Sequence, residues 1–196
     1  MSEVADLPMK QRIARSKKQM MWFAIASLVM MFAGLTSAYV VSSARRDWVD
    51  IDLPQEFYYS TGVILLSSLT LFLAKRLILK GDRAAGMIFT VVTFVLGTTF
   101  VVMQFAGFQS IIDMGYRFTG AASNVNASFI YVIVAAHLAH IVAGLIALLV
   151  MTVQTLRSKY TPDNILGFEL GSMFWHFVDV LWIYLLLFLA FAKDIF

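Results

Sequence analysis

Five long apolar runs dominate the sequence and leave few alternatives for the fold. They cover about 20–43, 57–79, 85–106, 127–151 and 168–192. Each is close to the ~20 residues that a helix needs to cross the hydrocarbon core of a bilayer. All three prolines lie outside the runs, where a helix-breaking residue costs least. The pattern predicts an all-α membrane helix bundle: a basic tail over residues 1–19, then a five-helix transmembrane domain over residues 20–196.

The composition leaves little protein outside the bilayer. Hydrophobic residues make up 60% of the chain and charged residues 14%, whereas soluble domains run at about 45–50% and about 25%. There is no cysteine, which excludes disulfides, thiolate metal sites and cysteine nucleophiles. Three histidines are too few to ligate several redox metals through imidazole.

The distribution of basic residues predicts the orientation. Five of them lie in the first 19 residues: Lys10, Arg12, Arg15, Lys17 and Lys18. With a cytoplasmic N-terminus, 11 of the 15 Lys and Arg residues lie in cytoplasmic segments and 4 lie outside. This bias predicts an N-terminus inside and a C-terminus outside. The net charge of +3 therefore reflects membrane topology, and we expect no nucleic-acid partner.

Four ionisable residues fall deep within the runs. They are His137, His140, His176 and Asp179. Ionisable groups inside a membrane are costly and suggest a functional role by default. His140 and Asp179 each lie 11 residues from the cytoplasmic end of their run, or about 16 Å at 1.5 Å per residue. The equal depth predicts an interhelical hydrogen bond or ion pair between them.

Three interpretations of this polar cluster stay open: polar contacts that hold helices together, a metal site, or a proton relay. The two histidines of the fourth run are three residues apart, whereas the helical metalloprotease pattern has them four apart beside a glutamate. Glu169, near the cytoplasmic end of the fifth run, is a candidate polar site on that side, although a solvated side chain explains it equally simply.

One segment makes the chain recognisable. Residues 175–182 read W-H-F-V-D-V-L-W, and 137–140 read H-L-A-H. Together these resemble haem-copper oxidase subunit III. Other stretches follow in the family's order: residues 26–39, the LLSSLT at 65–70, a pattern of Gly97, Phe100 and Gln104, and residues 124–144. The resemblance covers nearly the whole chain from about residue 20.

The resemblance implies a short, five-helix bacterial subunit III in the cytoplasmic (inner) membrane. In that family the subunit packs beside catalytic subunit I and other oxidase subunits, supports sustained turnover and proton uptake, and retains phospholipid. Haem and copper would belong to partner subunits, and this chain would have no catalytic residue. Trp175, Phe177, Trp182 and Gln104 would be packing residues of the family motifs. The electron donor stays open between cytochrome c and a quinol.

The chain departs from the family pattern at two positions. Many members carry a buried glutamate where Leu28 stands here, and another where Gly107 stands. Proton-uptake roles assigned to those acids do not transfer to this chain. Two other functions stay open: a subunit-III-like partner of nitric oxide reductase, and an independent membrane transporter or enzyme that uses the polar cluster.

Overall fold

A computed structural model describes residues 9–45, 48, 51, 53–116, 125–161 and 164–195, with side chains through residue 192. The helices in it are α1 (Met9–Ser43), α2 (Gln55–Leu79), α3 (Arg83–Asp113), α4 (Val125–Leu156) and α5 (Leu166–Ile195). Each is long and apolar enough to cross a membrane. For the residues described here, the prediction of an all-α fold with five helices able to span a membrane is confirmed.

The helices extend beyond the apolar runs. Helix α1 has 35 residues, about 52 Å at 1.5 Å per residue, whereas the hydrocarbon core is about 30 Å thick. Residues 9–19, predicted as a basic tail, continue α1 as a helix. A helix can continue into water because its backbone hydrogen bonds are internal, so the hydropathy pattern marks where the membrane ends and not where the helix does.

Helices α2 and α3 form a tight antiparallel hairpin. Asp82 caps α3, since its side chain accepts a hydrogen bond from the Ala85 amide at 3.1 Å. Gly81 has a φ of 86°, a backbone conformation that glycine adopts without steric cost. A Cβ atom on Gly86 would lie 2.6 Å from Cγ1 of Ile78. The glycine therefore lets the two helices approach closely next to the turn.

Four of the helices form a ring and the fifth packs outside it. Helix α2 packs on α3, α3 on α4, α4 on α5, and α5 on α2, whereas α1 contacts α4 and α5. Helix α5 thus touches three helices. Its core side chains include Phe168, Trp175, Val178, Trp182 and Leu185, all of them buried.

Part of the predicted outer segments lies outside the described residues. Of the four basic residues predicted to lie outside, this holds for Arg46 and Arg117, and for the side chain of Lys193. Within the described chain, Lys18 of α1 and Lys75 of α2 both reach Glu169 of α5. The start of α1, the end of α2 and the start of α5 therefore share one end of the bundle. Which side of a membrane this end faces stays a prediction.

Candidate functional site

Trp175 is the central packing residue of the family motif. A Cβ atom on Gly97 would lie 2.7 Å from Cη2 of its indole, and one on Gly144 would lie 3.0 Å from Cε3. The ring therefore occupies a slot that the two glycines open in α3 and α4. At the ring edge, Nε1 donates a hydrogen bond to Oγ of Ser67 at 2.9 Å. This one side chain joins α5 to the three other helices of the ring.

Trp182 makes a second anchor of the same kind. Its Nε1 donates to Oγ1 of Thr61 at 3.0 Å. The indole stacks on His137 with ring centroids 5.2 Å apart and an interplanar angle of 26°. Phe57 and Phe100 present their edges to it at 5.8 and 5.5 Å. The tryptophan thus satisfies its polar group on α2 and buries its rings against α3 and α4.

The other two motif residues differ in their surroundings. Gln104 is 1% exposed, and its Nε2 donates to Oγ of Ser60 at 2.9 Å. Phe177 is half-buried and borders a groove of about 360 Å³ between α1 and α5. Gln104 therefore joins α3 to α2, whereas Phe177 lies at the junction with the peripheral helix.

The predicted polar cluster divides into two groups. The first lies between α5 and α2, where Nδ1 of His176 and Oγ of Ser68 share a hydrogen bond at 2.5 Å. Asp179 is 1% exposed and the Ser68 hydroxyl lies close to its carboxylate. No hydrogen bond of acceptable geometry joins them, and neither Asp179 oxygen has another partner among the described residues.

The second group consists of His137 and His140, and it corrects the predicted pairing. Nδ1 of His140 is hydrogen-bonded at 2.7 Å to the Ala136 carbonyl of its own helix. Phe32 of α1 presents an edge to both histidine rings, at 6.2 and 5.8 Å. The predicted His140–Asp179 hydrogen bond is absent. Similar depth along two helices does not fix the rotation of either helix about its axis, and His140 turns towards α1.

Glu169 is held by two cations and is not simply solvated. Its Oε2 lies 2.6 Å from Nζ of Lys18, and its Oε1 lies 3.2 Å from Nζ of Lys75. The Glu169 side chain is 24% exposed. The carboxylate therefore links the peripheral helix α1 and the hairpin helix α2 to the start of α5.

A metal role for the cluster finds no support in its geometry. Across the part of the chain that the structure describes, no three His, Asp or Glu side chains group so that they could hold a metal ion. Within the predicted cluster, His176 is hydrogen-bonded to the Ser68 hydroxyl. His137 stacks on the indole of Trp182. Such contacts join helices.

The packing around Gly107 leaves no room for the glutamate that many family members carry at this position. A Cβ atom there would lie 2.6 Å from Cε1 of Phe57, and the Phe57 side chain is buried. The aromatic ring of α2 thus fills the space of any side chain at this position of α3. At the other departure, Leu28 is half-exposed on α1.

Sequence reasoning missed the hydroxyl groups of α2. Ser60 and Thr61 are followed seven residues later by Ser67 and Ser68. Residues seven apart lie on one helix face, and all four side chains contact α3 or α5 in the ways described above. This seven-residue repeat of adjacent hydroxyl residues is the signal in the sequence that predicts a polar face on α2.

The fold and the site identify the chain as a multi-pass membrane protein whose helices are joined by tryptophan, glutamine and hydroxyl side chains. The family model described as cytochrome c oxidase subunit III matches residues 11–193. The chain belongs to the cytochrome c oxidase subunit III family. In this family the subunit is non-catalytic, and the haem and copper cofactors belong to other subunits.

Individual relatives agree with the family match. A cytochrome c oxidase subunit 3 of Alkalihalophilus pseudofirmus is 30% identical over 171 residues, covering 84% of this chain and 81% of the relative. A probable cytochrome c oxidase subunit 3 of Mycobacterium bovis is 29% identical, covering 86% and 84%. A cytochrome bo(3) ubiquinol oxidase subunit 3 of Pseudomonas putida is 30% identical, covering 81% and 73%.

Proposed function

We propose that the chain is the non-catalytic subunit III of a proton-pumping respiratory terminal oxidase in a bacterial cytoplasmic (inner) membrane, with its N-terminus inside. It stabilises catalytic subunit I and retains lipid while the complex reduces O₂ to water. Relatives named as cytochrome c oxidase and as ubiquinol oxidase subunits both support the oxidase reading. The electron donor therefore stays open between cytochrome c and a quinol.

The observation that carries the proposal is the use of the family motif for packing. The match extends over residues 11–193, and the motif tryptophans are buried, with their N–H groups donated to α2. Side chains committed in this way are not available to a substrate. A chain in which the tryptophans of the family motif pack against its own helices is suited to a structural role within a larger complex.

The outer surface supports a role in contact with lipid and other subunits. Large apolar side chains are exposed on the outward face of α1, among them Phe23, Met30 and Val41. A groove of about 450 Å³ between α3 and α4 is lined by Phe105, Phe108, Tyr131, Val132, Ala135 and Leu138. Such a surface is stable only against hydrocarbon or another membrane protein. Grooves lined almost wholly by apolar groups suit acyl chains.

The accessory role is tested by purifying the oxidase with and without this chain. We expect the complex that lacks it to keep its haem absorption spectrum and initial turnover, but to lose activity faster during sustained turnover. Native mass spectrometry after gentle solubilisation should find this chain together with subunit I and phospholipid. Loss of a haem or copper signal on removal of the chain would contradict the accessory role.

A partner role in a nitric oxide reductase is the second candidate, because the sequence resemblance does not separate the two complexes. The haem types and the activity of the co-purified catalytic subunit distinguish them: reduction of O₂ supports the oxidase, and reduction of nitric oxide alone supports the alternative. An independent transporter or enzyme would show activity or bound metal in the isolated chain.

A further inference from the structure

A line of polar side chains runs inward along one face of α5. Glu169, Ser172, His176 and Asp179 follow one another at intervals of three, four and three residues, so they lie on one face of the helix. From Glu169 to Asp179 the line covers about 15 Å at 1.5 Å per residue. It begins at the end of the bundle where α1 and α5 start.

Helix α2 supplies the opposite wall. Ser68 is hydrogen-bonded to His176, and Lys75, seven residues later on α2, is bound to Glu169. Lys75 also lies close enough to His176 for their charges to interact, and Lys18 of α1 closes the outer end. We call the space between these two walls the polar seam.

The inner part of the polar seam contains buried polar atoms with unfilled hydrogen-bonding capacity. Ser172 is 4% exposed and Asp179 is 1% exposed. Neither the Ser172 hydroxyl nor the two Asp179 oxygens have a hydrogen-bond partner among the described residues. Buried groups of this kind usually bind internal water, which makes two to four hydrogen bonds to otherwise unpaired atoms. The seam offers such partners on both walls.

The seam ends at Asp179. Further along the same face of α5 come Trp182, Leu186 and Leu189, which are buried and apolar apart from the indole N–H, and that group is donated to Thr61. Along this face of α5, within the described residues, polar side chains therefore connect Asp179 to the end where the helix begins, and Trp182, Leu186 and Leu189 do not continue the line. A line of polar groups of this form on α5 favours the entry of water from the end where that helix begins.

We propose that water enters along the polar seam and binds between Ser172 and Asp179, so that the Asp179 carboxyl exchanges its proton with the aqueous phase at the end of the bundle where α5 begins. The exchange breaks one carboxyl O–H bond as a water O–H bond forms, and it moves no electron. This access goes beyond the proposed accessory role and does not depend on which catalytic subunit is the partner.

The absence of native cysteine makes the proposal testable in the assembled complex. Ser172→Cys places a thiol in the seam. Thr90→Cys is the matched control: Thr90 is buried and lies seven residues into α3, as Ser172 lies six into α5, but its hydroxyl is satisfied by the Gly86 carbonyl at 2.8 Å. Ser16→Cys, on the extension of α1, reports which side the reagent reaches.

The measurement is the rate at which a membrane-impermeant methanethiosulfonate labels each thiol in right-side-out and inverted vesicles, followed by mass spectrometry of this chain's peptides. Because the thiolate is the nucleophile that attacks the reagent and displaces its sulfinate group, and hydration favours the thiolate, we expect Ser172→Cys to be labelled at least about tenfold faster than Thr90→Cys. The labelling should come from the same side as for Ser16→Cys. Equal rates for the two buried thiols, or labelling of Ser172→Cys from the opposite side, would overturn the proposal.

A second variant keeps the test decisive if Ser172→Cys fails to assemble. Ser68→Cys places the thiol on the α2 wall, and its control is Thr98→Cys on an exposed position of α3. We expect Ser68→Cys to react from the same side as Ser16→Cys, and Thr98→Cys to stay unlabelled in the bilayer. If Ser68→Cys reacts no faster than Thr98→Cys, the thiol at position 68 is as inaccessible to water as a thiol that faces lipid. That result would overturn the proposal that water enters the polar seam.

Discussion

The indole of Trp175 occupies the space that a Cβ atom on Gly97 would fill. Gly97→Ala would bring its new methyl group to 2.7 Å from Cη2 of the ring. Overpacking of this kind typically costs about 1–3 kcal/mol. We expect Gly97→Ala to lower the thermal stability of the detergent-solubilised chain in its complex. Gly34→Ala is the control, since nothing lies within 4 Å of its Cβ position, and it should leave stability unchanged or slightly higher.

The contact between Gly107 and Phe57 predicts that restoring the family's glutamate fails. Gly107→Glu should prevent stable assembly, and even Gly107→Ala should cost about 1–3 kcal/mol because its Cβ meets the Phe57 ring. Phe57→Leu should reduce the cost of Gly107→Ala, giving a coupling free energy of about 0.5–3 kcal/mol in a double-mutant cycle. Gly62→Ala, with open space at its Cβ, is the control. A stable complex that carries Gly107→Glu alone would contradict the steric explanation.

The surroundings of Asp179 predict which residues it couples to. In double-mutant cycles on the unfolding free energy, Asp179→Asn should couple to Ser68→Ala by about 0.5–1.5 kcal/mol, the size typical of polar contacts between membrane helices. It should couple to His140→Asn by less than the error of the measurement, because the His140 ring nitrogen is bound to its own helix. A larger coupling with His140 than with Ser68 would restore the pairing predicted from depth.

His137 offers a test of whether its polarity is used at all. Both ring nitrogens have no hydrogen-bond partner among the described residues, while the ring stacks on Trp182. Replacing an unpaired buried polar group by an apolar one of similar shape can be nearly neutral. His137→Phe should therefore change the unfolding free energy by less than about 1 kcal/mol. A loss of several kcal/mol, or of a bound metal, would show that the imidazole has a partner that stacking does not supply.

The ion pairs of Glu169 predict a salt-dependent attachment of α1. The three side chains are 24% to 43% exposed, so each pair is expected to contribute no more than about 1 kcal/mol. Cycles that combine Glu169→Gln with Lys18→Gln or with Lys75→Gln should both give a favourable coupling. That coupling should shrink as salt screens the charges. A coupling unchanged between low and high salt would point to hydrogen bonding as its source.

The predicted site was only partly recoverable from the sequence. The position of each ionisable residue along its run follows from counting, and the two motif tryptophans, which were expected to be packing residues, are buried. The partners were not predictable, because a contact between helices depends on how each is rotated and which neighbour it meets. His140 and Asp179 each lie 11 positions from the end of their apolar run, yet His140 packs against Phe32 of α1 and Asp179 lies close to Ser68 of α2. The serine and threonine partners on α2 were not predicted, because a hydroxyl group costs little free energy in a membrane helix and its presence does not by itself indicate a site.

The sequence by itself determined how many helices of the described chain can span a membrane and which part of each is apolar. Hydrocarbon offers no hydrogen bonds to a backbone, so an apolar run of sufficient length has to be a helix. Only the tertiary structure decided that α1 packs outside a ring of four helices, that Trp175 lies between Gly97 and Gly144, and that Glu169 binds two lysines. The packing contacts depend on the shapes of side chains on neighbouring helices, and hydropathy does not predict them because lipid and protein are equally apolar there. The ion pairs of Glu169 depend on which helices meet at that end of the bundle.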